Sequence, residues 1–138
     1  MSEHPKKYSL QEIENRIFTI RDTHVMIDRD IAEMYDVETK VLNQAVKRNL
    51  ERFPKNFRFQ LIKGERNELV TNCDRLKNLK HSSVLPYAFT EQGVAMLSAV
   101  LRSETAVKVS IQIIAHYSRF FSSFAYPDSY RDALSHQR

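Results

Sequence analysis

Apolar and polar positions alternate along the chain with a period that changes from segment to segment. Residues 1–8 are polar, and Ser9-Leu10-Gln11-Glu12 then forms a capping box, in which the serine side chain accepts from the third helical amide and the glutamate reaches back. A short helix over 10–15 follows. Residues 16–27 carry Ile17, Phe18, Ile20 and then Val25, Met26, Ile27 on either side of Arg21-Asp22-Thr23-His24, which predicts a small β-hairpin. Asp28 reads as the N-cap of a helix holding Ile31, Ala32, Met34 and Tyr35, with Asp30 in its first turn. Asp36-Val37 breaks that helix. A second one, over 38–52, sets Val41, Leu42, Ala45, Val46, Asn49 and Leu50 on one face. Phe53 stands before Pro54 and is pushed out of the helical region, so this helix ends there.

Further on, Phe57, Phe59 and Leu61 alternate with Arg58 and Gln60 as in a half-buried strand, and Gly64 leads into a short helix through Leu69 and Val70. Residues 71–83 are polar with weak periodicity and predict a loop or mobile hairpin. Residues 84–89 read as a strand interrupted by Pro86, which suits a sheet edge. Thr90 caps a helix to about residue 101, and Ser103 caps a last helix to about residue 121. Within the latter, Val107, Val109, Ile111 and Ile113 alternate like a strand. Val107, Ile111, Ile114, Tyr117 and Phe121 also fit helical spacing, and the segment's length and cap favour helix. The fold class expected is therefore α+β: a helix-rich single domain with a helix-turn-helix-like unit and a small sheet of hairpin and short strands. It divides into an N-terminal flank at 1–13, the domain at 14–121, and a tail or linker at 122–138.

Composition adds exclusions. At 138 residues, with 42% apolar and 28% charged positions, the chain fits one globular domain with a real core. No apolar run has the length that crosses a bilayer, and no signal-peptide core begins the chain, so a cytoplasmic protein without membrane association is expected. A single cysteine, Cys73, excludes an internal disulfide and a cysteine-rich zinc module. The five histidines lack ligand spacing, and no metal or cofactor is expected. With only Gly64 and Gly93, the glycine-rich motifs of nucleotide hydrolysis and of the nucleophile elbow are missing, and an enzyme is not expected.

Charge is concentrated rather than high. The net charge is +4, yet Lys40, Lys47, Arg48, Arg52, Lys55 and Arg58 against Glu51 give +5 between residues 40 and 58. Everything else sums to −1. A local excess of this kind is the footprint of a polyanion, although a solvated helix face would also carry it. The same segment fits a helix-turn-helix: Ile31, Tyr35, Val37, Leu42 and Ala45 fall where packing needs apolar residues, and Ala32 falls at the close crossing. Asp36 occupies the sharp turn position, where a left-handed conformation is wanted and Asp is among the few non-glycine residues that tolerate it. The second helix then exposes Lys40, Asn43, Gln44 and Lys47, with Thr39 beside them. Thr39, Lys40, Asn43 and Gln44 are the expected base-facing residues, since Asn and Gln pair bidentately with adenine and Lys donates to guanine. Lys47, Arg48, Arg52, Lys55 and Arg58 are the expected phosphate contacts. Arg75, Lys77 and Lys80 against Asp74 add a smaller excess of +2, either a wing along the DNA backbone or a plain solvated loop.

Four blocks carry a family resemblance: residues 25–40, 42–49, 51–61 and 85–97, the last reading Leu85-Pro86-Tyr87-Ala88-Phe89-Thr90-Glu91-Gln92-Gly93-Val94-Ala95-Met96-Leu97. In this order they resemble the phage and bacterial ORF six N domain, kin to the KilA-N and Bro-N domains. The resemblance implies a sequence-reading DNA-binding domain of prophage regulators and antirepressor-like proteins rather than an enzyme. Two features depart from the family pattern. Asp36 stands where glycine is usual, and Ala115-His116-Tyr117-Ser118-Arg119-Phe120 replaces an Arg-rich ending of the last helix.

Double-stranded DNA is thus the expected partner, in a phage-type transcription regulator. The alternative is an antirepressor module that meets an acidic protein without touching DNA. A nuclease using Asp28 and Asp30 is a third possibility, but carboxylates at a helix start are explained by capping. Thr90-Glu91-Gln92-Gly93 could hold a phosphate at a helix start or simply be a capped helix packed tightly at Gly93. Cys73 has no partner base nearby in sequence and reads as inert. Apolar residues on several sides of the last helix, Val109, Ile113 and Phe120 beside Val107, Ile111 and Ile114, suit a homodimer or a buried central helix equally.

Overall fold

The computed structural model describes residues 8–123. The capping box at the first helix forms as its residues dictate: Glu12 N donates to Ser9 Oγ at 3.1 Å and Ser9 N to Glu12 Oε1 at 2.9 Å, starting α1 (Leu10–Glu14). The hairpin follows as β1 (Phe18–Ile20) and β2 (Thr23–Ile27), joined by Arg21 and Asp22. Both turn residues have positive φ, 56° and 59°, which matches the right-handed twist of the flanking strands. Val25, Met26 and Ile27 are all fully buried, because this sheet is covered on both faces. Met26 joins one core cluster, and Val25 and Ile27 join the other.

Next come α2 (Asp28–Tyr35) and α3 (Thr39–Lys47), then a 3-10 turn at Leu50–Arg52, β3 (Arg58–Gln60) and α4 (Lys63–Asn72). A 3-10 segment (Asp74–His81), β4 (Tyr87–Phe89), α5 (Glu91–Leu101) and α6 (Glu104–Ser123) complete the chain. The strands form one antiparallel sheet in the order β1-β2-β4-β3. Helices α1, α2, α3, α5 and α6 contribute to the larger core on one side. On the other side Leu69 of α4 and Leu76 of the 3-10 segment close a smaller one with Ile20, Leu61 and Ala88. The architecture is a single α+β domain, as the sequence predicts.

Several boundaries differ from expectation for identifiable reasons. Asp28 is not the cap of α2. Ile27 occupies that position, and Asp28 lies inside the first turn with its carboxylate turned into the protein. The helix expected over 38–52 stops at Lys47, where Asn49 takes a non-helical φ of −135° and its side-chain amide donates to the Ala45 carbonyl at 2.9 Å. Leu50 consequently stands 50% exposed, and Val41, although inside α3, is 45% exposed, so neither joins the core face. The 71–83 stretch is no loop: α4 continues to Asn72, and the 3-10 segment that follows is anchored by Leu76, which is fully buried. Strand β4 is central rather than at an edge, and Pro86 lies just outside it, leaving its carbonyl to accept from Leu61 N at 2.9 Å.

The ambiguous 107–113 stretch is helical. Ala106, Val109, Ser110, Ile113 and Tyr117 form the buried stripe of α6, while Val107 and Ile111 face outward. Phe120's side chain and residues 1–7 and 124–138, with most of the expected tail, lie outside the described residues. Among the described residues no helix is long and apolar enough to cross a membrane.

Asp36 adopts the left-handed conformation that the turn requires, with φ 61° and ψ 44°. A β-branched residue is strained there, so Asp36→Val is expected to lose about 1–2 kcal/mol relative to Asp36→Gly, read as the difference in urea midpoints. Equal midpoints would mean that the turn readjusts without strain.

Candidate nucleic-acid interface

Helices α2 and α3 are joined by three residues, Asp36, Val37 and Glu38. Ile31, Ala32, Tyr35 and Leu42 are buried where the two-helix pattern asks for apolar residues, and Val37 and Ala45 are half-buried. Val46 closes the same face of α3. With Leu42 and Val46 inward, helical spacing turns Lys40, Gln44 and Lys47 outward on one stripe, and all three are exposed. Arg48 continues it, and Arg52 and Lys55 follow beyond the helix, both exposed. Among the described residues none of these cations forms an ion pair. Thr39 is half-buried in the first turn of α3.

Asn43 is held differently. Its Nδ2 donates to Asp28 Oδ2 at 2.9 Å, so its side chain is tied inward and half-buried while its neighbours on the stripe are free. The same Asp28 carboxylate accepts from Arg29 N at 2.7 Å and Tyr87 N at 3.3 Å. Burial pushes the Asp28 carboxyl above its ordinary range, and the bonds from Asn43, Arg29 and Tyr87 pull it back. The carboxylate therefore stitches the start of α2, the middle of α3 and the start of β4 into one unit. No capping requirement explains that arrangement, and local sequence could not reveal it, because β4 lies 59 residues away from Asp28.

Arg58, on β3, is half-buried and stacks its guanidinium 4.0 Å from the centre of the Tyr87 ring. The pattern of residue types along the chain gave Tyr87 no role. Arg75 is engaged elsewhere, forming an ion pair with the buried Asp30 carboxylate and donating to the Asn15 carbonyl at 3.4 Å. Its charge ties the 3-10 segment to α2, which leaves Lys77 and Lys80 as the exposed cations there, Lys77 pairing with Asp74 at 3.4 Å. The structure thus brings Lys40, Gln44, Lys47 and Arg48 onto one exposed surface of α3 and separates Asn43 and Arg75 from it by internal bonds.

At the start of α5, Thr90 caps the helix by accepting from Gly93 N at 3.3 Å, and donates its own hydroxyl to the Asn56 carbonyl at 2.8 Å. Gly93 is buried against the Phe57 carbonyl. Close packing rather than ligand approach accounts for the glycine. Among the described residues no group of three or more His, Cys, Asp or Glu could hold a metal ion, and Asp28 and Asp30 are both engaged in internal bonds.

Comparison with known proteins finds no match among curated proteins or solved structures. The family model of the ORF6N domain matches residues 15–100, from the end of α1 through nearly all of α5, and so contains both α2 and α3 and the whole sheet. Since that match covers well over half of the 138 residues, the chain belongs to the ORF6N domain family.

Proposed function

We propose that this domain is a DNA-binding regulator of the phage type, a helix-turn-helix reader whose α3 enters the major groove. The observation that carries this reading is the exposed, unpaired stripe of Lys40, Gln44 and Lys47 on a helix whose reverse side is locked into the core by Leu42 and Val46. Gln44 and Lys40 suit adenine and guanine edges respectively, with Thr39 near the helix start. Lys47, Arg48, Arg52, Lys55 and Arg58 suit phosphates, and Lys77 and Lys80 lie on a separate segment that a longer duplex would have to reach. Asn43 contributes to base contact only if it exchanges its bond to Asp28 for one to DNA.

With about five or six phosphates neutralised, log affinity for duplex DNA is expected to fall against log salt with a slope of about −5. Gln44→Ala is expected to narrow the gap between specific and random duplexes by about 1–3 kcal/mol, whereas Arg52→Ala weakens both alike. A salt-independent affinity, or identical behaviour of the two variants, would sink the assignment of roles.

One observation favours the alternative of an antirepressor surface for an acidic protein: Val41 and Leu50 stand exposed among the cations. A protein partner would cover both, while DNA offers Val41 only a thymine methyl. Failure to shift duplex DNA at about 100 mM salt, with binding to an acidic protein, would choose that reading. The duplex reading extends to a homodimer through α6. Val107 and Ile111 stand exposed one turn apart on α6, and a dimer that reads duplex DNA would present two α3 helices to two half-sites. Sedimentation of the wild type against Ile111→Glu tests it: a dimer lost in the variant supports the pairing, and a monomeric wild type removes it.

A further inference from the structure

We propose that the groove between the β1–β2 turn and strands β3 and β4 is a second contact for duplex DNA, in which Lys55 and a ring-backed Arg58 hold backbone phosphates beside the segment met by α3. The groove, of about 570 Å³, is lined by Arg21, Lys55, Arg58, Phe59 and Tyr87 among others. Its cations differ in state. Arg21 is already matched, donating to both oxygens of Glu65 at 2.8 and 3.0 Å. Lys55 and Arg58 have no carboxylate in ion-pairing range among the described residues, and the buried Nε of Arg58 has no hydrogen-bond acceptor. The Arg58 charge acts on the buried Asp28 carboxylate without pairing with it, so what the groove leaves open is a half-buried guanidinium N–H without an acceptor beside an exposed lysine, and an oxyanion entering the groove would satisfy both.

The rings decide what kind of nucleic acid fits. A surface for unpaired bases presents bare aromatic faces for stacking. Here the Tyr87 ring is covered by Arg58 at 4.0 Å and the Phe59 ring by Arg21 at 4.3 Å, while Tyr87 packs on the larger core and Phe59 on the smaller. The rings therefore orient guanidinium groups instead of receiving bases, and the groove offers charge rather than stacking. Double-stranded backbone suits it better than a single strand. Continuity with α3 follows from Asp28, whose carboxylate joins Asn43 of α3 to the backbone of Tyr87. Tyr87 is then a positioning residue for Arg58.

This inference rests on duplex DNA being what α3 meets, and the test separates the two. Isotope-labelled full chain is titrated with a random duplex at low salt, following the amides of Gln44 and Lys47 together with those of Gln60 and Tyr87 and the Arg58 Nε–H. Shifts in both groups are expected. Shifts confined to α3 overturn the groove and leave the α3 reading intact, shifts confined to the groove overturn the α3 reading and with it a contact second to α3, and shifts in neither overturn both. In parallel, Arg58→Gln and Lys55→Gln should each reduce the magnitude of the salt slope by about 0.9. Tyr87→Leu should act like Arg58→Gln, with Tyr87→Phe restoring the wild-type slope because it keeps the ring. A single-stranded oligothymidine that binds more tightly than the duplex and shifts the groove residues would overturn the double-stranded occupant.

Discussion

Gly93→Ala is expected to destabilise the domain by about 2 kcal/mol or more, although alanine is the better helix former by about 1 kcal/mol. Gly93 lies in the first turn of α5, and a methyl group there would fall well inside 3.0 Å of the Phe57 carbonyl oxygen, with the Phe89 ring 3.3 Å away. The obstacle is backbone, so no side chain can swing aside. That carbonyl also accepts from Thr90 N at 3.0 Å, so moving it would disturb the junction between β4 and α5 as well. Gly64 supplies the control. It is also helical, in α4, but has open space around the position of an added methyl, so Gly64→Ala is expected to gain up to about 1 kcal/mol. Urea midpoints of the two variants should move in opposite directions. Movement in the same direction would show that the Phe57 backbone yields.

Arg75→Ala should cost about 2–3 kcal/mol at neutral pH, less than the removal of a partner from a fully buried pair because Arg75 itself reaches solvent. The loss arises from Asp30, 1% exposed, which is left ionised in the core without its cation. Burial already raises the Asp30 carboxyl above its ordinary value, opposed chiefly by the bond to Arg75. Without Arg75 it rises further. A carboxyl raised in the folded state binds its proton more tightly than in the unfolded chain, so stability declines as pH climbs from the unfolded value, about 4, through the folded one. The deficit of the variant should therefore shrink in mild acid and widen towards neutrality. Adding Asp30→Asn to Arg75→Ala should recover part of the loss, since no charge is then stranded. An Arg75→Ala deficit independent of pH would mean that packing, not charge, links the 3-10 segment to α2.

Much of the candidate surface was legible from periodicity. Once Leu42 and Val46 point inward, the 3.6-residue repeat fixes Lys40, Gln44 and Lys47 on the opposite side, and no distant contact intervenes. Asn43 and Arg75 look free in the sequence because their polarity and spacing resemble those of their neighbours. Each is bonded instead to a buried aspartate, 15 and 45 residues away respectively. No local pattern marks Tyr87, because its role exists only where β3 pairs with β4, setting Gln60 opposite it and Arg58 over its ring.

The amino-acid order alone determined what depends on a few adjacent residues: the capping at Ser9, Thr90 and Ser103, the left-handed turn at Asp36, and the spacing of α2 and α3. These are short-range bonds and backbone preferences, complete within one or two turns. Tertiary structure alone decided the central place of β4, the 3-10 segment held by Leu76 and the inward turn of Asp28. Each of these depends largely on groups brought together from distant parts of the chain. A buried carboxylate or a two-faced sheet is stable only when those groups arrive to satisfy it.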